Sequence, residues 1–410
     1  MKIRVAVVYG GRSTEHEISI ISAVQAMRAF DTERYEVIPV YMTKENLSYT
    51  GDLLRDISSF QGDIARMLAG AVQVDFIREG NRVLLMRHER KRFGENVISE
   101  VDVVFPVVHG TNVEDGTLTG FFATLRLPVV GCDVLSGAVG MNKAVMKAVC
   151  KAHDIPVLDC RTYGWKDYED EENLMNEIES SFSYPVIVKP VNLGSSIGIS
   201  RADNRKELEE ALSLAFSFAK RILVERAITR LKEVNCAVLG DEEEAEASEC
   251  ESPLGADEIL SFEDKYMSGA KGATKGQKGV KGTVPAKGAK SGASGAKGAG
   301  MASLTRKLPA DITPEKREEI RALAVRAFRV LGCAGVARID FMIDKEDDDR
   351  VYLNEINTVP GSLSFYLWEP AGVSYRELID RMIEIALKKE RQEEQILYSF
   401  DTNVLAGVRL

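Results

Sequence analysis

The sequence predicts an α/β protein that opens on a parallel sheet, and three observations carry that prediction. Ile3–Tyr9 is a continuous apolar run that reads as a buried strand, and Gly10-Gly11 turns it into a helical pattern from about Glu15 to Phe30. Tyr35–Tyr41 reads as the next strand, so the chain begins β-α-β, a connection that makes the two strands parallel. Val101–Val108 is another buried strand, ending at His109-Gly110. Ligands on open α/β sheets sit beyond the carboxyl ends of the strands, where Gly10–Glu15 and His109–Gly116 both fall. Residues 45–100 read as irregular.

After Pro128-Val-Val-Gly131 the character changes. Asn142–Ala152 has a helical pattern, Pro185–Pro190 reads as a strand, and Asn192-Leu-Gly-Ser-Ser-Ile-Gly198 is a glycine-serine loop. Arg205–Phe218 is an amphipathic helix and Arg221–Arg226 a strand. The region from about 231 to 395 closes with a helix from Tyr375 to about Gln395. Met267–Gly300 consists almost wholly of Gly, Ala, Lys, Ser and Thr, a composition that buries no core and predicts a mobile loop. The plain reading is a solvated low-complexity insertion, and the alternative that its lysines suit is a loop closing over phosphates. A nucleic-acid tether is disfavoured by a net charge of −10 over the whole chain.

The length of 410 residues suggests two or three domains, and a hydrophobic content of 45% is ordinary for a soluble globular protein. Six scattered cysteines without C-x-x-C spacing fit buried thiols in the cytoplasm better than disulfides or zinc. The first apolar run stops at Gly10-Gly11-Arg12-Ser13 without a cleavage site, and no stretch approaches the roughly 18 apolar residues that would span a membrane.

Two short segments bear the most chemistry. Val336-Ala-Arg-Ile-Asp340 and Tyr352-Leu-Asn-Glu-Ile-Asn357 alternate as strands, which puts Arg338 with Asp340 on one face and Glu355 with Asn357 on one face of the other. A polar connection, Asp344–Arg350, suits a hairpin. If the strands pair, two carboxylates, an amide oxygen and a guanidinium converge, a set suited to Mg²⁺ and phosphate oxygens. A half-buried salt-bridged hairpin is the plainer alternative; the pair followed by Thr358-Val-Pro-Gly361 favours the metal–phosphate site. Lys189 closes an apolar strand just before Gly194-Ser195-Ser196-x-Gly198, whose backbone N–H groups can form an anion nest. Glu15, His109, Glu114, Glu225 and Glu233, each taken alone, read as caps, turns or ordinary strand residues. Neither G-x-G-x-x-G nor G-x-x-x-x-G-K-[ST] occurs, which argues against a nicotinamide enzyme and excludes a P-loop.

Taken in order, Gly10-Gly-x-Ser-x-Glu15, His109-Gly…Glu114-Asp-Gly116, Lys143, Lys189-Pro…Gly194-Ser-Ser-x-Gly198, Glu225, Lys265-Tyr266, Arg338-x-Asp340 and Glu355-x-Asn357-x-x-Pro-Gly361 resemble the D-alanine–D-alanine ligase family of the ATP-grasp enzymes. The resemblance covers about residues 1 to 390. It implies a three-domain ATP-grasp fold with a Rossmann-like N-terminal domain (1–130), a central subdomain (131–230), a C-terminal subdomain (231–395) holding the loop 267–300, and a tail (396–410). It implies ATP-driven joining of two D-alanines through an acyl phosphate for peptidoglycan precursors, in a cytoplasmic homodimer.

By position, the resemblance implies that Glu15 holds the first ammonium, with Ser195 and Tyr266 organising that corner and His109 and Glu114 close by. Lys143, Lys189, Ser196 and Lys265 would meet ATP, Ala227-Ile228 after Glu225 would meet adenine, and Glu233 the ribose. Asp340, Glu355 and Asn357 would hold two Mg²⁺, with Mn²⁺ a possible substitute, and Arg338 with the Gly361 N–H would stabilise the oxyanion. Many members carry a serine-leucine pair for the acceptor carboxylate where this chain has Tyr366 and Leu367; Ser362 or Ser364 could substitute. Tyr266 favours an amine acceptor, D-serine or D-lactate are the alternatives to D-alanine, and an inactive nucleotide-binding regulator is the alternative of another class.

Overall fold

The computed structural model describes residues 2–253, 306–398 and 403. The first apolar run forms β1 (Ile3–Gly10), buried from Val5 onward because neighbouring layers cover both its faces. It leads through Gly10-Gly11 into α1 (His16–Ala29), and β2 (Tyr35–Met42) then pairs parallel with β1, Ile3 opposite Tyr35. Residues 45–100 are more regular than the sequence reading allowed. They hold β3 (Ser48–Thr50), α2 (Ile64–Ala69), β4 (Val72–Glu79), β5 (Arg82–Arg87) and β6 (Val97–Val101). Pairing from β2 through β6 is antiparallel, with Gly80-Asn81 as the tight turn between β4 and β5. The sheet is therefore mixed, its parallel part confined to β2, β1 and β7 (Val103–Val107), in the order β6-β5-β4-β3-β2-β1-β7.

The expected single strand Val101–Val108 is two strands divided at Asp102. Its carboxylate accepts from the Arg4 backbone N–H at 2.7 Å and from the guanidinium at 2.6 Å. One residue thus separates the two edges of the sheet, which must roll for those edges to approach each other.

Next come α3 (Thr117–Thr124), α4 (Val134–Met141) and α5 (Lys143–Ala152). A second sheet is built from β8 (Cys160–Gly164), β9 (Val186–Pro190), β10 (Ser200–Ala202) and β11 (Arg221–Arg226), in the order β10-β9-β11-β8. Leu174 and Ile178 of α7 (Glu171–Ser181), which follows the short α6 (Trp165–Tyr168), pack on this sheet with Leu208 and Leu212 of α8 (Arg205–Phe218). A third sheet, ordered β14-β13-β12-β15-β16, is antiparallel throughout. Its strands are β12 (Leu231–Gly240), β13 (Ala245–Pro253), β14 (Arg306–Lys307), β15 (Gly335–Asp344) and β16 (Arg350–Asn357). The helix α9 (Pro314–Val330) covers one face, started by Thr313 as N-cap and Pro314 in the first turn. Leu378, Ile379, Met382 and Ile383 of α10 (Tyr375–Glu393) share a core with β1, α1 and β15, joining the third sheet to the first.

All six cysteines are free, and every one but Cys160 is buried. Among the described residues no helix is long and apolar enough to cross a membrane. Phe328 is fully buried between α9 and the third sheet. Phe328→Ala is predicted to cost about 3–5 kcal/mol, read as a lowered urea midpoint, whereas Phe93→Ser at an exposed loop changes stability by under about 0.5 kcal/mol.

Candidate active site

The hairpin expected from alternation forms with Arg338 opposite Asn357 and Asp340 opposite Glu355, so all four side chains share one face. Asp340 accepts both forks of the Arg338 guanidinium, at 2.7 and 2.8 Å, and the Asn357 amide at 3.1 Å. Burial would lower the affinity of Arg338 for its proton, but the Asp340 carboxylate outweighs it and keeps the guanidinium charged. A bulge follows Asp340 and leaves Asn354 without a cross-strand partner. Its amide oxygen accepts from Lys189 at 3.2 Å, and Asn354 lines the same cleft as its neighbour Glu355.

That cleft, about 660 Å³, opens between the second and third sheets. Lys189 and Ser196 line it at one side, with Leu158, Ile187, Ile228 and Met342 forming an apolar slot beside Ala227 and Glu225. Such a slot accepts a flat heteroaromatic ring, and the lysines lie where attached phosphates would run. Glu225 is fully buried and bonded to both Lys147 and Lys189, the latter at 2.6 Å. Burial would raise its pKa, but the two ammonium groups prevail and bring it down to about 2. Lys143 donates to the Leu193 carbonyl at 2.7 Å and pairs with Glu355 at 3.0 Å, tying the glycine-serine loop to the hairpin. In that loop Ser195 and Ser196 have φ of 52° and 58°, followed by Gly198 at 71°, so the chain folds back on itself there.

A smaller cavity of about 100 Å³ adjoins the cleft and shares Lys143, Glu233, Asn235, Asp340 and Glu355 with it. Glu15, His109, Glu114, Ser195, Arg338, Asn357 and Gly361 also line it. Ser195 donates to Glu15, which precedes the first turn of α1. A Cβ at Gly110, where φ is +84°, would stand 2.4 Å from Ser13 Oγ and 2.8 Å from a Glu15 oxygen, so only glycine lets the strand end pass there. Burial, then the charge of Glu15, pushes Glu114 up to about 7. Glu114 accepts from the backbone N–H of Gly110 and of Val359, both at 2.9 Å.

The donors of Asp340, Glu355 and Asn357 are all oxygen, which fits a hard divalent cation. Among the described residues no three His, Cys, Asp or Glu side chains stand together as a self-sufficient metal cage. Two carboxylates and an amide suit Mg²⁺, which takes few protein ligands and completes its shell with water and phosphate.

The residues expected at the acceptor carboxylate lie apart from both cavities. Ser362, Ser364 and Leu367 are fully buried, and neither they nor Tyr366 line either cavity. Leu367 packs in the core with Trp368, and Tyr366 donates to Glu251 at 3.2 Å beneath the Arg306 guanidinium. Lys265, Tyr266 and the stretch 267–300 lie outside the described residues. Sequence reasoning missed Lys147 and Asn354. Lys147 carried a signal, one helical turn after Lys143 on the buried stripe of α5; the bulge that exposes Asn354 carried none.

The depressed pKa of Glu225 means that its ion pairs stabilise the fold above about pH 4.5 and that this stability is lost as pH falls through about 2. Glu225→Gln is expected to flatten that acid limb of a urea-midpoint titration and to cost about 3–5 kcal/mol at neutral pH, because two lysines then face an uncharged amide.

Comparison with known proteins accords with this geometry. The family profile for the N-terminal part of D-ala D-ala ligase matches residues 4–132, and that for the C-terminal part matches 149–289 and 296–384. A D-alanine–D-alanine ligase of Caldicellulosiruptor bescii is 38% identical over 405 residues, 97% of this chain and 99% of that protein. One from Acetivibrio thermocellus is 36% identical over 95% of this chain and 96% of that protein. Among solved structures, the D-alanine-D-alanine ligase of Coxiella burnetii superposes with a TM-score of 0.74 at 26% identity, covering 96% of each chain. The VanG D-Ala:D-Ser ligase of Enterococcus faecalis gives 0.70 at 28% identity, over 94% of this chain and all of that one. With its three-domain ATP-grasp fold, the chain belongs to the D-alanine–D-alanine ligase family.

Proposed function

We propose that this chain joins two D-alanines into D-alanyl-D-alanine at the expense of ATP, supplying the dipeptide for peptidoglycan precursors. The observation that carries this reading is the junction of the two cavities. An apolar slot with a lysine-lined run leads to the hairpin carboxylates, and Arg338, Gly361 and the Glu15–Ser195 corner stand immediately beyond them.

In this reading the adenine lies in the slot beside Ala227 and Ile228, Glu233 meets the ribose, and Lys143, Lys189 and Ser196 neutralise or bind the phosphates. Glu15 holds the ammonium of the first D-alanine, with Glu114 and His109 behind it. The carboxylate of that D-alanine takes the γ-phosphoryl group, giving ADP and an acyl phosphate. The amine of the second D-alanine attacks the acyl carbon, a tetrahedral oxyanion forms against Arg338 and the Gly361 N–H, and phosphate leaves as the peptide bond closes. The family implies a divalent metal; two Mg²⁺ held by Asp340, Glu355 and Asn357, or Mn²⁺ in their place, would neutralise the charge of the transferring phosphate. Release of Glu355 from Lys143 and of Asp340 from Arg338 would then accompany loading of ATP with metal. Lys265 and Tyr266 complete the phosphate and ammonium contacts in this reading, and the enzyme works as a cytoplasmic homodimer.

D-Serine or D-lactate as acceptor is the second reading. It is favoured by Tyr366 standing where many members have serine, and by likeness to a solved D-Ala:D-Ser ligase. ADP release with D-alanine alone, compared with D-alanine plus each alternative acceptor, decides between them. D-Alanine alone is expected to support full turnover, and a clear preference for a mixed pair would overturn the D-alanine acceptor. ATP binding without ADP release for every pair would instead indicate an inactive nucleotide-binding protein.

Glu355→Ala is expected to lower kcat by more than the roughly 10–100-fold typical of losing an outer metal partner, with the fold retained by circular dichroism. Burial and the charge of Glu15 push Glu114 up to about 7, so an ammonium arriving beside the two carboxylates draws off its proton. Calorimetry at pH 6 in buffers of different ionisation enthalpy should therefore register proton release on binding the first D-alanine, and Glu114→Gln should abolish it.

A further inference from the structure

The turn Thr358–Ser364, which carries Gly361, is not held by its own strand alone. Ser362, Leu363 and Ser364 have φ of 51°, 53° and 49°, three successive non-glycine residues in the left-handed region. Such a conformation is strained for a non-glycine residue and persists only where the surroundings impose it. The surroundings here come from the N-terminal sheet and its first helix. Val359 donates its N–H to Glu114 and accepts at its carbonyl from His109 Nδ1 at 2.8 Å. A carbonyl only accepts, so Nδ1 carries the proton. Burial pushes the imidazole down to about 4, so at neutral pH the ring is uncharged and Nε2 is an acceptor.

That assignment fixes the direction of the remaining bonds. Ser22 Oγ, in the middle of α1, lies 3.0 Å from His109 Nε2 and must donate to it. The same oxygen accepts the backbone N–H of Ser362 at 3.0 Å. Ser362 Oγ in turn donates to Gln25 Oε1, one helical turn further along α1, at 2.7 Å. The chain of bonds runs from Ser362 N–H through the Ser22 hydroxyl to His109, and from His109 to the carbonyl of Val359. It therefore grips the turn on both sides of Gly361. Ser22 is buried and touches neither cavity, whereas His109 and Gly361 line the smaller one.

We infer that Ser22 is a positioning residue for the oxyanion site, holding the Gly361 N–H in aim by fastening the turn on either side of it to the domain that binds the first substrate. The inference rests on the ligase reading above. It makes the N-terminal domain responsible for the geometry of a donor that sits in the C-terminal part of the chain. The side chain acts through His109 and the turn and never meets substrate itself.

The test compares wild type with Ser22→Ala by three readouts: kcat, the affinity for ADP, and inhibition by a phosphinate dipeptide that mimics the tetrahedral intermediate. A misaimed oxyanion donor is expected to lower kcat about 10–100-fold. Phosphinate inhibition should weaken in parallel, while ADP affinity stays within about twofold. Ser22→Cys, which keeps the shape with a weaker hydrogen-bonding group, should fall between the two and is read the same way if the alanine variant does not fold. A variant that binds phosphinate and turns over as wild type does, or that loses ADP affinity as much as phosphinate affinity, overturns the inference. Wild-type enzyme that forms no ADP with D-alanine or any mixed pair defeats the ligase reading and the Ser22 role with it. Active wild type with an unaffected variant defeats only the latter.

Discussion

The site depends on the register of one antiparallel pair. With Asp340 opposite Glu355 and Arg338 opposite Asn357, two carboxylates, an amide and a guanidinium occupy one face of the hairpin. A slip of a single residue in β16 would send Glu355 and Asn357 to the other face of the sheet. Apolar neighbours oppose that slip, since Ile339, Phe341, Leu353 and Ile356 are buried on the face packed against α9. The bulge after Asp340 is the local exception, and it lets Asn354 and Glu355, adjacent in sequence, both reach the cleft.

Charge compensation preserves this polar face. Four ion pairs surround the cleft within hydrogen-bonding range: Arg338 with Asp340, Lys143 with Glu355, and Lys147 and Lys189 each with Glu225. Breaking one member leaves a buried charge uncompensated, which is far more costly than the net contribution of the intact pair. The two kinds of pair differ in consequence. Glu225 is sealed away and anchors the two lysines, whereas Asp340 and Glu355 are partly exposed, so their partners can be exchanged for a cation and phosphate.

Much of this was legible in the sequence because strands with period-2 alternation fix which side chains share a face. Arg338, Asp340, Glu355 and Asn357 could be read as one constellation before any coordinates. The β-α-β opening was equally legible, since an unbroken apolar run followed by Gly10-Gly11 has few other solutions. The antiparallel strands between Ser48 and Val101 were not, because burial along them is mixed and the alternation of Val72–Phe76 in β4 is not sustained in β3, β5 or β6. Asp102 was also missed as a break, as its role depends on Arg4, nearly a hundred residues away. The least legible part was the turn beyond Gly361. Its left-handed residues are neither glycine nor asparagine, and contacts from α1 and from His109 determine them. Local propensity cannot announce a conformation imposed from another domain.

The proposed chemistry requires Arg338 and the Gly361 N–H to face the oxyanion of peptide-bond synthesis at the end of an ATP cleft. A crystal structure with ADP, Mg²⁺ and a phosphinate dipeptide tests it most directly. The account predicts a phosphinate oxygen about 2.7–3.1 Å from both the Arg338 guanidinium and the Gly361 nitrogen, with metal on Asp340, Glu355 and Asn357. A phosphinate bound with its oxygens turned away from both donors, or a metal held elsewhere, would contradict it.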